Sequence, residues 1–316
     1  MKRRIPIFFA TDDNYVPYLA VAIRSIDDNG TEGNIYDVKI LTDGLSAENE
    51  SRLRSMHLEH TEIEVVNVDN AVRAHRRGIR SRLRDYYSES IFYRIFIASL
   101  FPELKRAIYI DCDVVLVSDI ADMYDTDIGD SILGVVSDES IPSVAEFCDY
   151  VESWVGVRTE RYFNSGVLLM NLEAFRDERI ESSITELISR FDFDTVAPDQ
   201  DYLNFLCKDK VCYLDLAWNK QPKPENPVPA SELKLIHYNM FNKPWKYSGV
   251  LYEEEFWKYA ARTPYFGDIR RIRGEYTDVA RERDIEGAKR LIANAARLAR
   301  TEGGFASLLL RIGERT

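Results

Sequence analysis

The stretch RAIYIDCDVVLVSD, Arg106–Asp119, decides the fold. Its two apolar, β-branched runs, Ala107–Ile110 and Val114–Val117, are too short for helices and predict buried strands around a polar break. Asp111 and Asp113 occupy that break, and their side chains point the same way because side chains alternate along an extended chain. Each carboxylate would raise the pKa of the other, a cost that Mg²⁺ or Mn²⁺ removes.

The alternative is a pair of exposed aspartates in an ordinary turn. A turn would be expected to bring glycine, proline or asparagine, and Arg106–Asp119 contains none of them. The context therefore favours a metal site.

Composition limits the class of protein. The chain has 316 residues, 45% hydrophobic and 30% charged, which predicts one globular α/β domain with an appendage. Its net charge of −12 argues against a general nucleic-acid binder. The four cysteines show neither C-x-x-C nor zinc spacing and fit free thiols in a reducing compartment. The apolar run after Arg4 is too short for a signal peptide, and no run approaches the roughly 20 residues of a membrane helix. We therefore predict a cytoplasmic protein.

Strands and helices alternate in the first part of the chain. Ile5–Ala10, Tyr36–Thr42 and Ile63–Val68 read as strands, with helices at Pro17–Ile26 and Ala47–Leu58. This alternation predicts right-handed βαβ units and a parallel sheet.

The first predicted strand ends in Thr-Asp-Asp-Asn-Tyr, which is typical of a ligand-binding mouth. The glycine-rich dinucleotide fingerprint is missing. One of Asp12 and Asp13 can cap the following helix while the other binds a ligand.

The remaining elements are predicted from shorter patterns. Ser90–Leu100 reads as an apolar helix whose Arg94 needs an anionic partner. Asn164-Ser165-Gly166 is a polar break before a buried run, where glycine allows close approach. Further predicted elements are the strands Ile132–Val136, Cys212–Leu216 and Leu233–His237, a helix at Ala174–Phe191, and a helix opening at Tyr202 after Pro-Asp-Gln-Asp.

Two basic segments have two interpretations each. Arg73–Arg84 holds six arginines and is either a solvated helix face or a lid that attracts a diphosphate or an anionic membrane. The tail, Asp268–Thr316, contains a predicted helix at Arg281–Arg300 and an apolar patch at Phe305–Leu310. It is either an interfacial helix on a membrane or a helix that packs on the core or on another subunit.

Six motifs occur together in the order of one known family. They are ATDDNY from Ala10, the tyrosine-arginine helix at Arg94, YIDCDVV from Tyr109, FNSGVLLMNL from Phe163, DQD from Asp199 and HYNMFNKPW from His237. The chain thereby resembles the retaining glycosyltransferases of family 8, which include bacterial lipopolysaccharide galactosyltransferases and glycogenin. The resemblance implies a GT-A fold over residues 1–267, an α/β unit with a Rossmann-like, mainly parallel sheet flanked by helices, followed by a helical tail at 268–316.

The resemblance also implies a UDP-sugar donor, a Mn²⁺ or Mg²⁺ ion and roles for named residues. The implied metal ligands are Asp111, Asp113 and His237. The implied contacts to uracil and ribose are Ala10, Thr11, Asp12 and Asn14, and the other implied donor-binding residues are Arg94, Cys112, Asp138, Asn164, Ser165, Asp199, Gln200 and Lys243. Many family members have glycine three residues after the histidine, whereas this chain has Met240, so no phosphate contact is expected there.

The resemblance predicts transfer of galactose or glucose, with retention, to a saccharide, glycolipid or glycoprotein. Gln200 is a poor nucleophile, so front-side attack is favoured, with Asp199 as the alternative nucleophile. A nucleotidyltransferase would need a glycine-rich, lysine-containing signature that ATDDNY lacks. A non-catalytic sugar-nucleotide-binding module would be expected to have lost a metal ligand, and this chain keeps all three.

Overall fold

The computed structural model describes residues 2–73, 88–191 and 193–308, and within them a central seven-stranded sheet. The strands in chain order are β1 (Arg3–Ala10), β2 (Asn34–Thr42), β3 (Thr61–Asn67), β4 (Arg106–Ile110), β5 (Val114–Leu116), β6 (Leu133–Ser137), β7 (Phe163–Asn171), β8 (Val211–Tyr213) and β9 (Leu235–His237). The large sheet has the order β3-β2-β1-β4-β7-β6-β8, and β5 and β9 form a small separate sheet.

The sheet is mainly parallel, as predicted, with one reversed strand. β3, β2, β1 and β4 run parallel, whereas β7 is antiparallel to both of its neighbours, β4 and β6. The start of β7 therefore lies at the same edge as the ends of β4 and β6. Asn164 pairs with Val136, and the Asp111 N–H donates to the Gly166 carbonyl at 2.8 Å. The reversal brings the Asn-Ser-Gly break to the predicted ligand mouth.

The small sheet joins two distant motifs. β5 follows the aspartate pair directly, and Val114 pairs with His237 of β9 in antiparallel register. The Tyr238 N–H also donates to the Asp113 carbonyl at 2.9 Å. Backbone pairing thus fixes the histidine beside the second aspartate.

Helices cover both faces of the large sheet. They are Val16–Asp28, Ala47–Arg54, Asp69–Arg73, Ile97–Leu100, Ala121–Tyr124, Ala145–Tyr150, Leu172–Asp177, Ile180–Arg190, Pro198–Cys207, Glu253–Ala260, Phe266–Gly274 and Asp278–Ala299. In the described parts of the chain, 3₁₀ segments occur at Glu89–Phe96, Thr159–Arg161 and Leu216–Asn219, and a π-helical turn occurs at Val151–Val155. Alternate residues of β1 and β4 face opposite ways, so Phe8 and Tyr109 belong to one core cluster and Ile7 and Ile108 to the other.

Several predicted elements were wrong in type or extent. The helix predicted at Ala47–Leu58 ends at Arg54. Most of Ser90–Leu100 is 3₁₀ rather than α-helix. The helix predicted at Ala174–Phe191 is two helices, because Arg179 adopts a left-handed conformation with φ 56°. The strand predicted at Cys212–Leu216 ends at Tyr213. Short apolar runs do not distinguish these alternatives.

The helix that follows the Pro-Asp-Gln-Asp motif starts four residues earlier than predicted. It begins at Pro198, where the ring occupies the first helical position and needs no N–H partner. The motif therefore lies within the first turn of this helix, which we call the DQD helix (Pro198–Cys207).

The tail folds back onto the body of the protein. Its longest helix, Asp278–Ala299, here called the tail helix, packs against the helix Ala145–Tyr150. Its apolar face, formed by Leu291, Ala295 and Leu298, is buried. The interfacial interpretation needs that face to be free for lipid, so the structure favours the packing alternative.

The segment beyond the tail helix continues this packing. Phe305 is fully buried, with its ring 4.4 Å from Phe193 and 4.9 Å from Tyr202 of the DQD helix, centroid to centroid. A Cβ at Gly304 would lie 2.5 Å from the Trp154 ring, so only glycine fits there. Beyond Arg73, the arginine-rich run lies outside the described residues. Among the residues described, no helix combines the length and apolar character needed to cross a bilayer.

Candidate active site

A cavity of about 580 Å³ opens at the edge where β1, β4 and β6 end and β7 begins. It is lined by every residue that the sequence placed at a donor or metal site except Asn14, which is exposed. That set comprises Ala10, Thr11, Asp12, Arg94, Asp111, Cys112, Asp113, Asp138, Asn164, Ser165, Asp199, Gln200, His237 and Lys243. The fold therefore gathers residues from all six motifs into one space.

The two aspartates of the loop after β1, Asp12 and Asp13, make different contacts. Asp12 Oδ1 accepts from the backbone N–H groups of Asn14 and Tyr15, at 3.0 and 3.2 Å, and thereby shapes the turn into the first helix. Asp13 Oδ1 accepts from the Ser46 N–H at 2.8 Å. Of the two, Asp12 lines the cavity.

The carboxylates of Asp111 and Asp113 are each met by a cation. Asp111 Oδ1 accepts from Arg94 and from the Tyr109 hydroxyl, both at 2.8 Å. Asp113 Oδ2 is paired with Lys243. Burial opposes the ionisation of Asp113, but the charge of Lys243 outweighs it and holds the pKa of this carboxyl well below its usual value. The Asp113 carboxyl is therefore kept in the charged form that suits a metal ligand.

His237 completes a three-residue cluster. Its Nε2 lies 3.2 Å from Asp113 Oδ1 and 3.9 Å from Asp111 Oδ2, and one ligand atom from each of the three residues lies within 4.8 Å of the others. Its Nδ1 is 2.8 Å from Asn219 Oδ1, an oxygen that can only accept. Nδ1 is therefore the protonated nitrogen, and Nε2 is left as the metal donor.

Gly166 makes room for this cluster. A Cβ there would lie 2.4 Å from His237 Cε1 and 2.5 Å from Asp111 Oδ2. The glycine therefore leaves room for the candidate metal ligands, whereas the sequence predicted close approach of the backbone to a bound ligand. Two carboxylates, an oriented imidazole and a side-chain-free wall fit a divalent cation that takes its remaining ligands from outside the protein.

A second group of polar side chains is linked into a network. Asp138 Oδ2 accepts from Gln200 Nε2 at 3.0 Å and from Asn164 Nδ2 at 3.1 Å. Gln200 Oε1 accepts from the Ser165 N–H at 2.9 Å. The amide of Gln200 is thus fixed in orientation between the reversed strand and Asp138.

Asp199 joins the two groups. Its Oδ2 accepts from the Ser165 hydroxyl at 2.8 Å and lies 3.2 Å from Arg94, which also contacts Asp111. Burial raises the pKa of Asp199, against the opposing charge of Arg94. Asp199 lies in the first turn of the DQD helix, whose N-cap residue is Ala197.

Asp201, the last residue of the motif, faces away from the cavity. It accepts from the hydroxyls of Tyr150 at 2.7 Å and Tyr162 at 2.6 Å, and from the Ala197 N–H at 3.1 Å. Burial raises its pKa to about 7 in spite of these donors. Its contacts indicate a structural role at the start of the helix.

Cys112 lies between the two aspartates and also lines the cavity. Its thiol donates to the Ala10 carbonyl at 3.3 Å, and burial raises its pKa well above the ordinary value. Cys112 therefore remains a thiol that helps to join β1 to the aspartate pair.

Several residues at the site were not predicted. Asn219 orients the histidine, and its Nδ2 donates to Asn164 Oδ1 at 2.9 Å. Gln221 Nε2 donates to Asp138 Oδ1 at 2.9 Å. Both belong to segments without a chemical motif, so the sequence carried no signal for them. Asp284 and Leu291 of the tail helix also line the cavity.

Met240 replaces the glycine of many family members and keeps a left-handed backbone, with φ 58°. The side chain is 41% exposed and lines the cavity. The loop thus adopts a conformation that glycine would adopt without strain.

Comparison with known proteins gives the family. The sequence matches Glycosyl transferase family 8 over residues 6–249, most of the chain. This chain belongs to glycosyltransferase family 8. The family 8 chain is 26% identical over 278 residues to General stress protein A of Bacillus subtilis (strain 168), covering 81% of this chain and 93% of that protein. It is 24% identical over 255 residues to the lipopolysaccharide glucosyltransferase WaaO of Escherichia coli (strain K12), covering 76% of this chain and 72% of that one.

Solved structures give the same fold for this family 8 protein. The apo bifunctional glycosyltransferase WbbM is similar with a TM-score of 0.73 at 22% identity, covering 87% of this chain and 52% of that one. The galactosyltransferase LgtC, solved with donor and acceptor sugar analogues, is similar with a TM-score of 0.66 at 23% identity, covering 83% of this chain and 99% of that one. The GT-A fold is therefore confirmed.

Proposed function

We propose that this glycosyltransferase uses a UDP-hexose, UDP-galactose or UDP-glucose, and transfers the sugar with retention to a saccharide acceptor in surface glycan synthesis. The observation that carries the proposal is the cluster of Asp111, Asp113 and His237, which shares one cavity with the Gln200 network. The first group suits the diphosphate of a nucleotide sugar, and the second suits sugar hydroxyls. The names of WaaO and LgtC support a hexose.

The metal end of the cavity would hold the diphosphate. A divalent cation on the two aspartates and the histidine, Mn²⁺ or Mg²⁺, would stabilise the negative charge of the departing UDP as a Lewis acid. Lys243 is paired with Asp113. When a diphosphate is bound, its ammonium group would donate to a phosphate oxygen and stabilise the negative charge there. The uracil and ribose would lie beside Ala10, Thr11 and Asp12, with Asn14 approaching from outside the cavity wall.

The reaction would occur on the face of the sugar toward which the phosphate leaves. The bond between the anomeric carbon and the phosphate oxygen breaks, and its electron pair leaves with UDP. The acceptor oxygen forms the new bond and passes its proton to the departing phosphate oxygen. Gln200 would present the oriented dipole of its amide to the positive charge that develops on the sugar.

The geometry supports this path over a covalent intermediate on Asp199. The reactive oxygen of that carboxylate, Oδ2, is engaged by Ser165 and by the Arg94 charge. A nucleophile so neutralised is weakened, and a displacement would first have to break both contacts.

We also propose a reducing, cytoplasmic environment. Cys112, Cys148, Cys207 and Cys212 are all unpaired, and two of them are buried. Any contact with a membrane would use exposed basic side chains of the tail, since its apolar face is covered.

A donor screen tests the proposal. The protein is incubated with UDP-galactose, UDP-glucose and UDP-N-acetylglucosamine, with MnCl₂, MgCl₂ or EDTA, and UDP release is measured. We expect one UDP-hexose to support release only with metal, and Asp113→Asn to abolish Mn²⁺-dependent UDP binding without unfolding the protein. No release from any donor, or full activity in EDTA, would contradict the proposal.

A further inference from the structure

Part of the cavity wall is apolar and comes partly from outside the region matched by the family. Besides the polar groups, the cavity is lined by Ile141, Phe147 and Leu291. Leu291 belongs to the tail helix, whereas the family match ends at residue 249. The contribution of Leu291 to this wall therefore lies beyond the part of the chain that the family match covers.

The tail helix presents one face to the cavity, and polar contacts hold it at Asp284 and at Ala299. Asp284 and Leu291 are two helical turns apart and both line the cavity. Asp284 accepts from the Tyr247 hydroxyl at 3.0 Å and lies 3.3 Å from Lys246, close to the Lys243 loop. Farther along, Ser153 donates to the Ala299 carbonyl at 3.1 Å. The helix therefore spans the wall as a braced element.

The apolar wall begins next to the residues proposed to hold the transferred sugar. The Ile141 N–H donates to the Asp138 carbonyl at 3.2 Å, and Phe147 follows on the helix that packs against the tail helix. Phe147 is 8% exposed and Leu291 5%, so both are held in place by packing. A group bound against them would lie beside the donor sugar.

We infer that the tail helix forms part of the acceptor subsite, which binds a glycoside carrying an apolar aglycone. The inference rests on the proposed function, since an acceptor is needed only if sugar is transferred. Aromatic and aliphatic side chains bind such groups by burying apolar surface. The polar network at Asp138 remains free for the donor sugar.

The test compares two glycosides and two leucines. The probes are 4-nitrophenyl β-D-galactoside and methyl β-D-galactoside, and the readout is UDP release from the donor sugar nucleotide. A bound glycoside changes the rate of UDP release because it either accepts the sugar or keeps water from hydrolysing the donor. The glycoside concentration that gives half of this change therefore measures its affinity. Leu291→Ala removes the part of the apolar wall that the tail helix supplies. Leu298→Ala is the matched control, because Leu298 is buried on the same helix but does not line the cavity.

We expect the wild type and Leu298→Ala to bind the nitrophenyl glycoside more tightly than the methyl one. In Leu291→Ala, the ratio of the affinities for the nitrophenyl and methyl glycosides should fall by about tenfold. Both variants should retain wild-type affinity for UDP with Mn²⁺. If Leu291→Ala does not fold, Phe147→Leu tests the facing wall in the same way.

Equal affinity of the wild type for both glycosides would overturn the inference, and so would no effect of either at its solubility limit. An equal loss in the two leucine variants would also overturn it, because the effect would then come from helix packing. Absence of UDP binding by the wild type would instead contradict the proposed function.

Discussion

Gly166→Ala is expected to damage the metal site while leaving the fold intact. The added methyl group would lie 2.4 Å from His237 Cε1 and 2.5 Å from Asp111 Oδ2, whereas ordinary contact begins at 3.4 Å. Both ligands must therefore withdraw by about 1 Å. Metal–ligand distances tolerate only about 0.2 Å, so Mn²⁺ affinity should fall by about 100-fold or more.

Gly134→Ala provides the matched control. Gly134 is also a buried strand glycine, and its Cβ would lie 3.1 Å from side chains of Ile128 and Leu169, far from any proposed ligand. Each variant should lose about 1–3 kcal/mol of stability through overpacking. Calorimetric titration of Mn²⁺ in the presence of UDP, together with thermal melting, separates the two effects. Wild-type Mn²⁺ affinity in Gly166→Ala, or equal loss in Gly134→Ala, would refute the argument that this glycine makes room for the ligands.

Three further predictions concern single side chains. The pKa of Asp201 is about 7 in the folded protein, against an ordinary value of 3.8. Its neutral form therefore contributes fully to stability below about pH 4, and this contribution is lost as the pH rises through 7 because the buried carboxyl becomes charged. Asp201→Asn should therefore gain stability relative to the wild type between pH 5 and 8, by up to about 4 kcal/mol, and parallel melting curves against pH would contradict this. Gln200→Ala should lower kcat by about 100-fold through loss of an oriented dipole, and wild-type kcat with transfer shown to be rate-limiting would place Gln200 away from the reacting carbon. Met240→Gly should relieve the left-handed backbone and stabilise the protein by up to about 1 kcal/mol, after the greater entropy of the unfolded glycine chain is subtracted; a lower melting temperature would count against strain at this position.

Residues that form periodic patterns or chemical motifs could be located from the sequence. The aspartate pair was predicted at a strand end, and Arg94 was expected to need an anionic partner, which it finds in Asp111 and Asp199. Periodicity also gave β1, β2 and β3, because β1 and β2 are each followed by a recognisable helix.

Other features depend on tertiary pairing that no local pattern encodes. The run in β7 is apolar on both faces, so it reads the same in either strand direction. Asn219 lies beside His237 because a 3₁₀ turn places it there, and asparagine occurs commonly in turns without any such role. The apolar face of the tail helix fits a lipid surface or a protein surface equally well, and only the packing of Leu291 and Leu298 distinguishes them.

The placement of Leu291 has a consequence for biosynthesis. A nascent chain emerges from the ribosome starting at its N-terminus, and the residues around Asp111, Gln200 and His237 emerge before the tail helix. The part of the cavity around these residues can therefore assemble first, while the wall at Leu291 is still missing. A growing chain would have a site open to water on that side, and the enclosure is completed only after residues 284–291 have been synthesised and docked.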